Sequence, residues 1–131
     1  MNFTSQICTT KEQSEKLLAL GLKAETADMS YFHTVGFEGN DLWLPSLSPY
    51  ENVVKAPNYG EKTKIYIKSH TIPAWSLHRL LCLIPKEYRY DIDASQLFVN
   101  AMICSDPYTE TIELIRLLLE DGYIYDEYLN A

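Results

Sequence analysis

Ile72-Pro73-Ala74-Trp75-Ser76-Leu77-His78-Arg79-Leu80-Leu81-Cys82-Leu83-Ile84-Pro85 carries the start and the stop of a helix, and the rest of the chain is read around it. Pro73 crowds the residue before it, and the Pro-Ala-Trp run reads as extended chain leading into the helix. Ser76 can accept a hydrogen bond from a first-turn amide, and Pro85 cannot continue a helix. The helix is therefore expected over residues 77–84. Leu77, Leu80, Leu81 and Ile84 form one apolar stripe at i, i+3, i+4, i+7, with Arg79 pointing away and Cys82 and Leu83 off the stripe. Two turns are unstable in isolation, so the surrounding chain must cover this helix.

Moving outward, Thr10 and Gln13 read as a capping box for an N-terminal helix with Leu17, Leu20 and Gly21 on one side, which Gly21 ends. Residues 23–29 read as a short helical turn or a structured connection. Residues 31–44 hold Tyr31, Phe32, Phe37 and Trp43 around the turn signal Gly39-Asn40-Asp41, the pattern of an irregular hairpin. Residues 45–60 are expected as a long surface loop. In residues 62–68, Thr63, Ile65 and Ile67 alternate with lysines, predicting a half-buried strand with a basic face. Residues 88–92 and 97–103 read as a second hairpin, with Asn100 needing buried partners. Asp106 as N-cap and Pro107 at the first position open a last helix over residues 107–121, stopped by Gly122. Tyr123, Tyr125 and Tyr128 follow in a tail that adds an edge strand or stays mobile. The sum is a single α+β domain over residues 1–131, with a small, mostly antiparallel sheet and about three helices: N-terminal, central and C-terminal.

Composition bounds what such a domain does. With 131 residues, 47% apolar and 22% charged, a core is affordable and neither disorder nor a disulfide scaffold is indicated. No apolar run is long enough to span a bilayer and Met1-Asn2-Phe3-Thr4-Ser5 lacks signal-peptide character, so a cytoplasmic protein with no membrane partner is expected. Cys8, Cys82 and Cys104 fit neither paired disulfides nor a CxxC motif and read as reduced thiols, with Cys82 and Cys104 as small core residues. The net charge of −7 disfavours nonspecific nucleic-acid binding but is unevenly spread. Residues 52–90 carry seven Lys or Arg against two acids, and residues 106–131 carry seven acids against Arg116. These regions either neutralise each other within the fold or permit a homodimer.

The chain carries no P-loop, Rossmann fingerprint, nucleophile elbow, HExxH or EF-hand loop. No catalytic, cofactor-binding or metal-ligating residue is assigned, and no cofactor is expected. The leading reading is a non-enzymatic protein-binding or accessory protein whose partner is another protein. Its candidate partner-binding residues are Trp43, Tyr50, Trp75, Tyr123 and Tyr125, although Trp75 reads first as a core or hinge aromatic and only second as a partner-binding anchor. One alternative is an acidic mimic of nucleic acid that inhibits a host nuclease or DNA-binding factor through the −6 terminal region. Another is a small hydrolase or nucleotide-binding enzyme using His70, His78 and the pair Asp91 and Asp93; His33 is the third histidine.

The succession of Glu25-Thr26-Ala27-Asp28-Met29, Trp43-Leu44-Pro45-Ser46-Leu47 and Pro73-Ala74-Trp75-Ser76-Leu77 with Leu80-Leu81 and Pro85, closed by a Leu-rich helix before Gly122, resembles a group of small uncharacterised proteins of gut anaerobic bacteria. Those proteins occur within prophages and other mobile elements. The resemblance covers most of the chain and implies an intracellular, phage-related context with no assigned activity. His78 stands where such relatives are expected to carry a small residue.

Overall fold

A computed structural model describes residues 6–55, 60–85 and 106–130, and these form an α+β fold built on a three-stranded antiparallel sheet. In chain order the elements are α1 (Lys11–Ala19), a 3-10 turn (Ala24–Thr26), β1 (Met29–Val35), β2 (Asp41–Ser46), α2 (Tyr50–Val54), α3 (Glu61–Ser69), β3 (Thr71–Ala74), α4 (Leu77–Cys82), α5 (Pro107–Glu120) and a second 3-10 turn (Asp126–Tyr128). The expected second hairpin at residues 88–92 and 97–103 lies outside the described residues, with Asp91, Asp93, Asn100 and Cys104.

The central stretch behaves as its sequence indicates and ties the fold together. Ser76 caps α4 by accepting from the Arg79 amide at 3.1 Å. Its own amide and hydroxyl donate to the two carboxylate oxygens of Asp28, at 2.9 and 2.5 Å. Trp75 is completely buried, and its indole N–H donates to Thr26 Oγ1 at 2.9 Å. The Trp75 amide donates to Thr9 Oγ1 while its carbonyl accepts from the Thr9 amide. Arg79 Nε donates to the Thr26 carbonyl at 2.6 Å, and the Leu77 amide donates to the Tyr108 hydroxyl. One turn of chain thus gathers the N-terminal segment, the first 3-10 turn and α5.

Around it, Leu17, Leu22, Trp75, Leu80, Leu83, Ile84, Ile112, Ile115 and Leu118 fill the main core. Leu80 and Ile84 come from the expected stripe, while Leu83, at the C-cap of α4, is also fully buried. Cys82, expected in the core, is exposed instead. Four neighbours in six residues already face inward or partly inward, and the remaining side of so short a helix faces solvent. A smaller cluster of Cys8, Met29 and Ala74, with Tyr31 against it, lies on one face of the sheet.

The helix caps were locally encoded. Thr10 and Gln13 form the reciprocal capping box, and Asp106 caps α5 with Pro107 in the first turn. Gly21 and Gly122 take positive φ of 104° and 75°. In each case the next residue's amide reaches back to the helix: Leu22 to the Leu17 carbonyl, and Tyr123 to the Leu118 carbonyl. The tail contains a 3-10 turn and one isolated bridge, Leu22 to Leu129, rather than a full edge strand.

Residues 62–68 are helical within α3, not a strand. The sheet slot beside β1 is taken by β3, whose Ile72 and Ala74 pair with Tyr31 and Met29. With the place beside β1 filled, the segment is helical, and Glu61 in the first turn with Lys68 in the last suits the helix dipole. The expected loop at residues 45–60 is interrupted by α2, where Glu51 pairs with Lys55 at 2.9 Å across one turn; residues 56–59 lie outside the described residues.

Candidate functional site

Strands β1 and β2 pair with Phe32 opposite Leu44, Thr34 opposite Leu42 and His33 opposite Trp43. Side chains alternate across a sheet, so Ser30, Phe32, Thr34, Leu42, Leu44 and Ser46 share one face, and Tyr31, His33, Val35, Asp41 and Trp43 share the other. These two faces have different fates.

The second face is furnished from within the chain. Lys11 of α1 places its ammonium 4.7 Å from the centre of the Trp43 ring, a cation–π contact. His33 lies against Trp43 at 4.9 Å, and its Nε2 donates a 3.0 Å hydrogen bond to the Asp41 carboxylate, an acceptor. On its other side His33 meets His70 at 5.2 Å, and His70 stacks on Tyr66 at 3.9 Å. The His70 Nδ1 is 2.8 Å from the Tyr66 carbonyl, an acceptor, so that nitrogen carries the proton in this contact. Further in, the Cys8 thiol donates to the Tyr31 hydroxyl at 3.4 Å, and burial pushes the pKa of both groups up.

The first face carries no charged residue on β1 or β2; it is closed at Ser30, which is buried and donates to the Ser48 carbonyl, and open toward the hairpin end. Phe32, Leu42 and Leu44 are 39, 41 and 51% exposed, and Phe37 at the hairpin tip and Leu47 beyond β2 are exposed as well. The backbone beside them is guarded. The Gly36 amide bonds to the Asn40 carbonyl, which fixes the alternation so that Leu42 and Leu44 bond inward to β1 and Asp41, Trp43 and Pro45 face the outer edge. Pro45 has no N–H to offer there, the position an edge proline favours. The surface thus presents apolar side chains with a blunted strand edge.

The candidate partner-binding residues fall in different settings. Trp43 is half-buried under Lys11 and His33, and Tyr50 opens α2 and packs against the main core, where burial raises its pKa. Trp75 is enclosed and offers no surface, in keeping with its reading as a core aromatic. Tyr123 and Tyr125 are exposed in the tail. Phe32, Leu42 and Leu44 were not singled out from the sequence. The signal was present, since both strands alternate large apolar residues on both faces while only one face can meet α1.

His70 contacts His33 and Tyr66, whereas His78, on the exposed side of α4, lies 3.5 Å from the Cys82 sulfur. Among the described residues, no group of three His, Cys, Asp or Glu side chains has metal-binding geometry. Within the acidic end, Asp106 caps its own helix and Glu113 and Glu120 both pair with Arg116. The Arg116 hydrogen bonds hold the Glu113 carboxyl below its ordinary pKa. A shallow polar depression of about 440 Å³ lies among Lys23, Thr26, Arg79 and Glu127. No described helix is long and apolar enough to cross a membrane.

No protein-family model matches the chain, and comparison with curated proteins and with solved structures gives no significant match.

Proposed function

We propose that the protein is a non-enzymatic binding or accessory protein that docks another protein on the open face of its hairpin. The observation that carries this reading is the set Phe32, Leu42 and Leu44, contiguous, uncharged and exposed on one side of β1 and β2. Contiguous apolar surface on a small domain marks an interaction site more often than scattered apolar residues do. Trp43 and its imidazole neighbours hold the strands from behind and so give the face a fixed shape, which limits the ordering cost of binding. A mobile-element setting is supported by the sequence resemblance and enters as context. The nucleic-acid mimic is favoured less, because three of the seven acids it needs are engaged within α5.

The test is affinity capture from the native cell lysate by the wild type and by a Leu42→Ser, Leu44→Ser variant, at low and high salt. Expected is a protein partner retained at high salt by the wild type, with apparent affinity reduced about tenfold or more in the variant. Circular dichroism should show the variant folded, because the replaced side chains are already exposed. Equal capture by both proteins, or recovery only of nucleic-acid enzymes at low salt, overturns the reading.

A further inference from the structure

Helix α3 is a surface element with nothing buried. Its solvent side carries Ile65 and Tyr66, 68 and 53% exposed, and Lys62 lies between them on the helix wheel. Lys68 is exposed beside this face and Lys64 is half-buried. None of the three lysines makes an ion pair with a described residue. Apart from the stacking of Tyr66 on His70, this nine-residue helix has no fully buried side chain, and its lysines form no ion pair among the described residues.

The acidic end of the molecule is the complementary case. Asp121 at the end of α5 and Asp126 in the following 3-10 turn are exposed and have no ion-pair partner among the described residues. Leu117, one turn before Asp121, is exposed, as are Tyr123 and Tyr125. Internal neutralisation of the basic middle by the acidic end, one outcome the sequence permits, is not formed as ion pairs between described residues. The basic helix comes near the C-terminal tail at one point. Lys68 and Asn130 line the same depression of about 350 Å³. A two-fold rotation that brings α3 of one copy to the acidic end of a second also brings the second copy's α3 to the first.

We propose that two copies of this chain associate about a two-fold axis, each α3 docking through Lys62, Lys68, Ile65 and Tyr66 on the acidic, aromatic end of the other. Charge complementarity selects the occupant. A chain of net charge −7 is repelled by its own kind over most of its surface, and the basic helix is where an acidic copy is attracted. The apolar residues on both sides supply area that ion pairs alone would not. This surface is separate from the open hairpin face.

Sedimentation velocity on the full chain tests the proposal. The wild type should sediment as a dimer at low salt and dissociate as the screening length falls from ~30 Å at 0.01 M toward ~3 Å at 1 M. The Lys62→Glu, Lys68→Glu variant and the Asp121→Lys, Asp126→Lys variant should each be monomeric, with dimer Kd raised about tenfold or more. Mixed in equal amounts they should form a heterodimer, because the reversed charges again face opposite ones. The Leu42→Ser, Leu44→Ser variant should dimerise like the wild type, which separates this result from that of the hairpin. If charge reversal disturbs folding, Lys62→Gln with Lys68→Gln weakens the dimer without adding repulsion. A wild type that is monomeric at low salt, a dimer indifferent to salt and to both charge reversals, or a mixture that stays monomeric overturns the proposal.

Discussion

Trp75 and Ser76 do more for this structure than their size suggests, because each satisfies polar groups from elements distant in sequence. Replacing Trp75 by Ala removes a fully enclosed ring and should cost about 3–5 kcal/mol, whereas Trp75→Phe keeps most of the volume, loses the Thr26 hydrogen bond and should cost about 1–3 kcal/mol. Ser76→Ala removes the cap of α4 and a hydrogen bond to Asp28, for about 1–2 kcal/mol. Urea denaturation orders the three; a Ser76→Ala loss of only a few tenths would mean that Asp28 and the first-turn amides find water instead. The enclosed state of Trp75 was legible because a tryptophan between a proline and a helix cap has little freedom to leave the core. The exposure of Cys82 was not: composition marks cysteine as a core residue, and only the packing of Leu80, Leu83 and Ile84 decides which side of α4 is left out.

At the level of elements, what was encoded within a few residues was readable. The Thr10 to Gln13 box, the Asp106-Pro107 start and the left-handed glycines 21 and 122 are local devices, and the structure contains all of them. Gly122→Ala should cost about 1 kcal/mol through strain at its positive φ alone, since no atom crowds an added Cβ, and thermal denaturation should show it. Elements whose identity depends on a distant partner were not readable. Residues 62–68 have the alternation of a strand, but Thr71–Ala74 occupies the place beside β1, and competition for that place is invisible in either segment alone. The open hairpin face went unnoticed for the same reason, since which of two apolar faces meets α1 is settled by Lys11 and Cys8. The outer edge of β2 offers one further check. Pro45→Thr restores the missing donor beside Leu42 and Leu44, and light scattering on concentrated protein should show increased self-association. Scattering unchanged from the wild type would mean that the strand twist alone guards the edge.

Over the whole molecule, Cys8, Tyr31, Tyr50 and Tyr108 all have raised pKa values, in each case chiefly from burial. A raised acid pKa keeps more protons on the folded state than on the unfolded one, so stability declines as pH rises. It is intact below the ordinary values of 9.0 for cysteine and 10.0 for tyrosine and is lost above them toward the raised values. Tyr31→Phe should make this alkaline decline shallower in denaturant titrations at stepped pH; identical slopes would remove Tyr31 as a contributor. The clasp around residues 75 and 76 has a different consequence, one of timing. Thr9 must meet Trp75 across 66 residues, and the Gly21 carbonyl accepts from the Asn130 amide. Such long-range closures slow folding relative to a helical bundle of the same size. On the ribosome, α1 can form early from its own caps, but its docking waits for Trp75 and its closure by the Gly21–Asn130 bond waits for residue 130, leaving Leu17 and Leu22 open to a chaperone through much of this segment's synthesis.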